Sequence, residues 1–427
     1  MNPEDPSFNW KWSAYGDTFQ TPTGILELMR DLGEAMASGD PDLCMLGGGN
    51  PAPIPEAEAV FRRQWADLSM DPERLDAVLG KYDTAQGSPR FLELLAAYLN
   101  GKYGWGLTTE NLCVTNGSQT AFYHLFNLLA GDGRKILLPL SPEYIGYADQ
   151  GHGPDLFTAV PGVMEQTGPH RFKYRMDLER IRIGPEIAAI ALSRPTNPTG
   201  NVVTDEEVNR LSALARRHRV PLIIDNAYGA PFPGILFREV KPVWEPHIIL
   251  SMSLSKLGLP GTRTGILVAA PEVIRMMTSV NAVAGLATGN IGQALAGPLL
   301  MSGEMDRLCG EVIRPFYQER SRRAGAVWER VLGDRVPWMR HEAEGSMFHW
   351  LRFPGLPVTD TELYRRLKAE GVLVIPGHYF FYGLSGKSPE WRECLRVHTA
   401  MDPEKFNRGA EILARVVADC YASASSA

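Results

Sequence analysis

Between about residue 50 and residue 300 the chain alternates short apolar runs with helical patterns, and this alternation limits its possible folds more than any other feature. Strand candidates lie at 111–116, 135–140, 187–193, 220–225, 247–251 and 264–269, and the helix following the first spans 119–129. Near-continuous apolar strands separated by helices predict a mostly parallel sheet covered by helices on both faces. Sheets of this kind bind their ligands at the carboxyl ends of the strands. The residues just past each run are therefore the candidates for chemistry.

One helix start is legible in detail. Thr204 can cap a helix over 205–217 while Glu207 reaches back as in a capping box, which leaves 195–201 as a loop. Beyond about residue 305 the pattern changes. A long helix over 305–331, a strand pair around 347–352 and 372–375 and a final helix over 403–421 predict a separate α+β unit. With 427 residues the chain can form more than one lobe. We expect a large domain over 46–305 and a small one made of 1–45 and 306–427.

Composition removes several classes. A net charge of -6, with no basic run, suits nucleic acid poorly. The start Met1-Asn2-Pro3-Glu4-Asp5-Pro6 lacks the pattern of a signal peptide, and no apolar stretch is long enough for a bilayer, so no membrane partner and a cytoplasmic setting are expected. Cys44, Cys113, Cys309, Cys394 and Cys420 are scattered and odd in number, which predicts reduced thiols. The sequon Asn116-Gly117-Ser118 is then coincidental. The nine histidines show no paired ligand spacing, and no metal is expected.

Lys256 lies in Ser253-Leu254-Ser255-Lys256-Leu257-Gly258-Leu259-Pro260-Gly261-Thr262-Arg263, just past a strand. An amine becomes nucleophilic at neutral pH when it is desolvated or set beside another cation, and a sheet mouth offers both. The hydroxyls and Arg263 suit a phosphate, so the segment points to a Schiff-base site for pyridoxal phosphate (PLP). Gly117-Ser118-Gln119-Thr120 opens a helix directly after a strand, where free amides and the helix dipole favour an anion. In Pro142-Glu143-Tyr144 the tyrosine can lie against a planar ring. Arg194-Pro195-Thr196-Asn197-Pro198 presents the Asn197 amide on a loop fixed by two prolines, and either X-Pro bond is a candidate cis bond. Asp225 ends the run Ile223-Ile224-Asp225 and needs a cationic partner if buried, a role a protonated pyridine nitrogen fills, while Tyr228 is placed for the ring's phenolic oxygen. Taken singly, each segment also reads as an ordinary turn, cap or core residue.

Together, in this order and spacing, the segments resemble the aspartate-aminotransferase superfamily of fold-type I PLP enzymes over nearly the whole chain, with a late Leu395-Arg396-Val397 completing the set. Leu46-Gly47-Gly48-Gly49-Asn50-Pro51-Ala52, the continuation Tyr144-Ile145-Gly146-Tyr147-Ala148-Asp149 and Ile375-Pro376-Gly377-His378 are similar to the valine–pyruvate branch of that superfamily. The resemblance implies a seven-stranded large-domain sheet, an aldimine on Lys256, Asp225 on the pyridine nitrogen, Asn197 and Tyr228 on the phenolic oxygen, and Tyr144 on the ring face. Gly117, Ser118, Gln119, Ser253 and Arg263 would form the phosphate cup. Arg396 would grip the substrate carboxylate, with Gly49 and Asn197 beside it, and Tyr82 would reach the neighbouring site of a homodimer.

The implied reaction is a ping-pong exchange from L-valine to pyruvate, giving 3-methyl-2-oxobutanoate and L-alanine. The alternatives are a transaminase of aromatic or broad range, a fold-type I lyase and, from another class, an aminotransferase-like regulator. The match begins near residue 25 and leaves no room for a winged helix, which counts against the regulator. Tyr15, Phe19, Ile25 and Phe380 could line a small apolar pocket, although simple packing explains each. His378 reads as a packed neutral histidine.

Overall fold

The computed structural model describes residues 11–20, 24–153 and 155–425. Its centre is a seven-stranded sheet in the order Leu112–Thr115, Gly265–Val268, Ile248–Ser253, Leu222–Asp225, Ile187–Ser193, Lys135–Ser141, Phe157–Pro161. All neighbours run parallel except Gly265–Val268, which is antiparallel to both strands beside it. The five strands from Leu112–Thr115 to Ile187–Ser193 in that order are buried along their whole length. Helices on both faces strip water from both sides, so these strands read as apolar runs rather than alternating ones.

The register aligns the strand ends. Ser193 stands opposite Asp225, Asp225 opposite Ser251, and Gly265 opposite both Ser253 and Thr115. Every segment singled out for chemistry at a strand end is thereby delivered to one edge of the sheet. The helix Ser118–Leu129 starts at that edge, capped by Gly117. The helix Asp205–His218 begins with the expected capping box, Glu207 N–H donating to Thr204 Oγ1 at 3.2 Å while the Glu207 carboxylate accepts the Thr204 N–H at 2.8 Å. Just before that helix lies the Asn197 turn, and the Arg194–Pro195 bond in it is cis.

A second sheet has six strands, in the order Ile375–Pro376, Cys394–His398, Phe348–Arg352, Met339–His341, Arg171–Arg175, Val163–Gly168. The strand pair expected around 347–352 and 372–375 does not form. Cys394–His398 inserts between Phe348–Arg352 and Ile375–Pro376, and Val372–Leu373 pairs instead with Cys44–Met45. The inserted strand carries Arg396, whose apolar flanks Leu395 and Val397 are buried in the separate core formed with Cys44, Leu46, Trp328, Phe353, Leu363 and Leu413. The hairpin of residues 163–175 belongs to the 46–305 segment yet joins this second sheet through the parallel pairing of Phe172 with His341.

The long helix expected over 305–331 is present in pieces: Glu304–Arg307, a π-helical turn Leu308–Ile313, and Arg314–Leu332. Pro315 explains the break, because it has no N–H for the i−4 carbonyl and its ring displaces that carbonyl. Among the described residues no helix is long and apolar enough to cross a membrane.

Candidate active site

A cavity of about 240 Å³ opens at the carboxyl edge of the seven-stranded sheet. Gly49, Ser118, Gln119, Tyr144, Asn197, Asp225, Tyr228, Ser253, Lys256, Arg263 and Arg396 all line it. These are eleven of the thirteen residues expected at the site. Gly117 adjoins them as the cap of the Ser118 helix. Tyr82 is the exception, since it stands 82 % exposed on the surface and does not line the cavity of its own chain.

Lys256 follows the strand Ile248–Ser253 in a short 3-10 turn, and its Nζ donates to Gly49 O at 2.5 Å. Desolvation, with Arg396 and Arg263 nearby, lowers its pKa to about 8, Asp225 opposing. About a tenth of the amine is then uncharged at pH 7, far more than for an ordinary lysine. Asp225 is 7 % exposed; burial raises its pKa to about 6 against hydrogen bonds from Tyr147 Oη to Oδ2 at 2.5 Å and from Ala227 N–H to Oδ1 at 3.0 Å. Two donors do not offset the loss of water around this carboxylate, and a cation in the cavity would.

At the opposite side, Arg396 is buried, with NH1 donating to Asn197 Oδ1 and NH2 to Gly47 O, both at 2.9 Å. Its Nε has no partner among the described residues. The guanidinium lies over Phe348, 4.1 Å from the ring centroid, and 5.5 Å from that of Phe380. NH1 and NH2 each use one of their two N–H groups in these bonds, and a planar cation held this way in the cavity lining is suited to an anion.

The third wall is an anion cradle. Gly117 has φ +89, and a Cβ there would meet Arg263 NH2 at 2.1 Å, so the glycine both permits the turn and lets the guanidinium lie against the helix N-terminus. Ser118, Gln119, Ser253 and Ser255 complete the cradle around Arg263. Gln119 Nε2 donates to Gly146 O at 2.6 Å, which ties the cradle to the Tyr144 loop. Gly146 is needed there, because a Cβ would stand 2.4 Å from the Tyr144 ring.

A model of the family "Aminotransferase class I and II" matches residues 63–413. The chain is 46 % identical over 416 residues to the valine–pyruvate aminotransferase of Escherichia coli (strain K12), covering 96 % of this chain and 99 % of that protein. The chain belongs to the class I and II aminotransferases. It also superposes on the structure of valine-pyruvate aminotransferase AvtA from Salmonella typhimurium LT2 with a TM-score of 0.87, at 43 % identity, covering 93 % of this chain and 99 % of that one. A more distant relative is the 2-aminoadipate transaminase of Thermus thermophilus, at 27 % identity over 388 residues, 88 % of this chain and 90 % of that protein.

Enzymes of this family work with PLP. The residues present fit that group: a desolvated carboxylate in want of a cation, an amine of lowered pKa, and an anion cradle from which a side chain at position 117 is excluded.

Several site residues were not foreseen. Phe122, Ala227, Ser255 and Ile375 line the cavity, and Tyr147 holds Asp225 from behind. Ser255 sits one residue before the lysine and was within reach of the same phosphate argument. Tyr147 could not be found from spacing, because its partner is 78 residues away. Of the proposed pocket residues, Phe380 is fully buried beneath Arg396, whereas Tyr15 and Phe19 are partly exposed and do not line the cavity. The Ile25 side chain lies outside the described residues. His378 is not packed in isolation: its Nδ1 is 2.9 Å from the buried carboxylate of Asp360, which also accepts the His378 N–H.

Proposed function

We propose that this aminotransferase moves the amino group of L-valine to pyruvate, giving 3-methyl-2-oxobutanoate and L-alanine in a ping-pong order. The observation that carries this reading is one cavity in which Lys256, Asp225 and a half-partnered Arg396 converge. The narrower substrate pair is supported by near-full-length identity of 46 % to an enzyme of that name. The lining supports it too, because among the described residues its cationic side chains are Lys256, Arg396 and Arg263, the last at the anion cradle. Among the described lining residues no cationic side chain is left to pair with a second substrate carboxylate, while Ile375 and Phe122 offer apolar surface.

The shared cavity supports the following roles. When bound, PLP supplies the carbonyl that accepts the amino group and the ring that takes up the electrons released at the substrate α-carbon. Lys256 would hold the cofactor through Nζ, and its lowered pKa suits that nitrogen to take a proton from the substrate α-carbon and return it. Asp225 would hold a proton at the ring nitrogen. Asn197 and Tyr228 would hold the phenolic oxygen, Tyr144 would cover the ring, and Gly117, Ser118, Gln119, Ser253 and Arg263 would hold the phosphate. Arg396 would bind the α-carboxylate with Gly49 and Asn197 beside it.

Tyr82 belongs, in this reading, to the site of a second copy. Its exposure is matched by Leu79, Val283 and Leu286, which are 59 %, 90 % and 66 % exposed and supply apolar surface for such a contact. The five cysteines are all buried free thiols, which suits a reducing, cytoplasmic setting.

The test is the absorbance spectrum of the PLP-loaded protein before and after L-valine is added without acceptor. We expect the visible band to give way to pyridoxamine absorbance, and pyruvate to restore it with alanine formed. A band unchanged by valine but bleached by glutamate or an aromatic amino acid would remove the valine assignment.

A further inference from the structure

Glu143 has no part in the reaction as assigned above, yet it is 1 % exposed and its carboxylate is held by hydrogen bonds rather than by a cation. Its Oε1 accepts the Tyr144 N–H at 2.7 Å and the Ser193 hydroxyl at 2.5 Å, and its Oε2 accepts the Ser193 N–H at 2.9 Å. One side chain thereby fastens the loop after Lys135–Ser141 to the end of Ile187–Ser193. Both of those segments supply the cavity. Tyr144 is the next residue, and Ser193 lines the cavity while its carbonyl accepts from Thr196 Oγ1 at 3.0 Å, within the turn that presents Asn197.

A neutral side chain would not make the same connection. Both carboxylate oxygens face a backbone N–H, so a glutamine would set its own NH₂ against one of them and leave a buried donor unsatisfied. The surroundings oppose the charge. Desolvation raises the Glu143 pKa to about 7, against its three hydrogen bonds, and Asp225 pushes it further the same way. Tyr147 and Tyr382, the other titratable groups that feel its charge, are held neutral by burial. A buried acid kept beside another acid costs stability, and such arrangements concentrate where function needs them.

We propose that Glu143 is a positioning residue of this site: its carboxylate sets Tyr144 and the Asn197 turn in register over the cofactor ring and places a second negative charge behind Asp225. The inference rests on the PLP reading given above. Acting through Asp225, that charge favours the protonated, cationic form of whatever the cavity holds.

The experiment uses the full-length protein with PLP and compares wild type, E143Q and S193A. Two quantities are read: the PLP dissociation constant from the visible absorbance, and the pH midpoint at which that absorbance changes. In E143Q one buried donor is orphaned and the charge is gone, so PLP binds about tenfold more weakly and the midpoint falls. S193A keeps both backbone donors and the charge, so it weakens PLP by a smaller factor and leaves the midpoint at the wild-type value. An E143Q protein that matches wild type in both quantities overturns the proposal, and so does S193A shifting the midpoint as far as E143Q does. Should E143Q fail to fold, S193A decides alone, and wild-type PLP affinity in it refutes the connection. A wild type that takes up no PLP would refute the functional reading instead.

Discussion

Asp225→Asn separates what the fold wants at this position from what the chemistry wants. The carboxyl moves from an ordinary 3.8 to about 6 on burial. At about 1.36 kcal/mol per tenfold change, ionising it inside the folded apo-protein costs about 3 kcal/mol. The sign follows from the raised value: the folded state binds the proton more tightly than the open chain. The Asp225 contribution is therefore fully favourable below 3.8 and is lost as pH rises through about 6. Asparagine keeps the shape, its oxygen accepting the Ala227 N–H and its NH₂ facing Tyr147 Oη, and the loss of the acceptor for the Tyr147 hydroxyl offsets part of the gain. It carries no charge to desolvate.

Apo-D225N should therefore be more stable than apo-wild type at pH 8, by up to about 3 kcal/mol. With roughly 2 cal/mol/K of unfolding entropy per residue, that is about 3 °C in Tm for a chain of this size. Differential scanning fluorimetry at pH 8 and pH 5 measures it, and the gap should fall to about half at pH 5, where much of the folded-state carboxyl is protonated. PLP should reverse the ranking, since on the proposed assignment its ring nitrogen would give the wild-type carboxylate a cation and asparagine nothing comparable. Turnover should fall by roughly a hundredfold or more, the scale set by removing one member of a buried charge pair. A gap in Tm independent of pH, or an apo-wild type more stable than the variant at pH 8, refutes the argument that burial strains this carboxylate.

Lys256→Ala is expected to abolish both the visible band and transamination. In wild type the rate of PLP capture should climb through about pH 8 as Nζ loses its proton; a flat stopped-flow profile between about pH 6 and 9 would contradict the lowered value. Gly117→Ala forces a side chain against Arg263 at a positive φ, so PLP affinity should drop by roughly tenfold or more, at a strain of about 1–3 kcal/mol, measurable by equilibrium dialysis. Arg396→Lys keeps the charge but loses the fork, and KM for valine and for pyruvate should rise by roughly tenfold to a hundredfold; an unchanged KM for both would take Arg396 out of carboxylate binding.

Much of this site was legible because it is built from strand ends. A parallel sheet buried on both faces writes its strands as apolar runs, and the residue after each run must emerge at the same edge. Lys256, Asp225, Asn197, Tyr144 and Ser118 could be read in this way one by one. Their gathering around one cavity then follows from the shared register of the strands that carry them. Arg396 was reached only by resemblance, since it lies within the strand Cys394–His398 of the second sheet and no local pattern aims it at the cavity.

The sequence by itself determined the fold class, the helix start at Thr204 and most of the strand-end residues that line the cavity, because those depend on periodicity and on neighbours in the chain. Tertiary structure alone decided which strands of the second sheet pair. It also decided the support behind the site, Tyr147 on Asp225 and Glu143 on Ser193. Those partners are 78 and 50 residues apart. Hydrogen bonds between buried side chains leave no periodic trace, and only the packing of the completed sheet brings such pairs within reach.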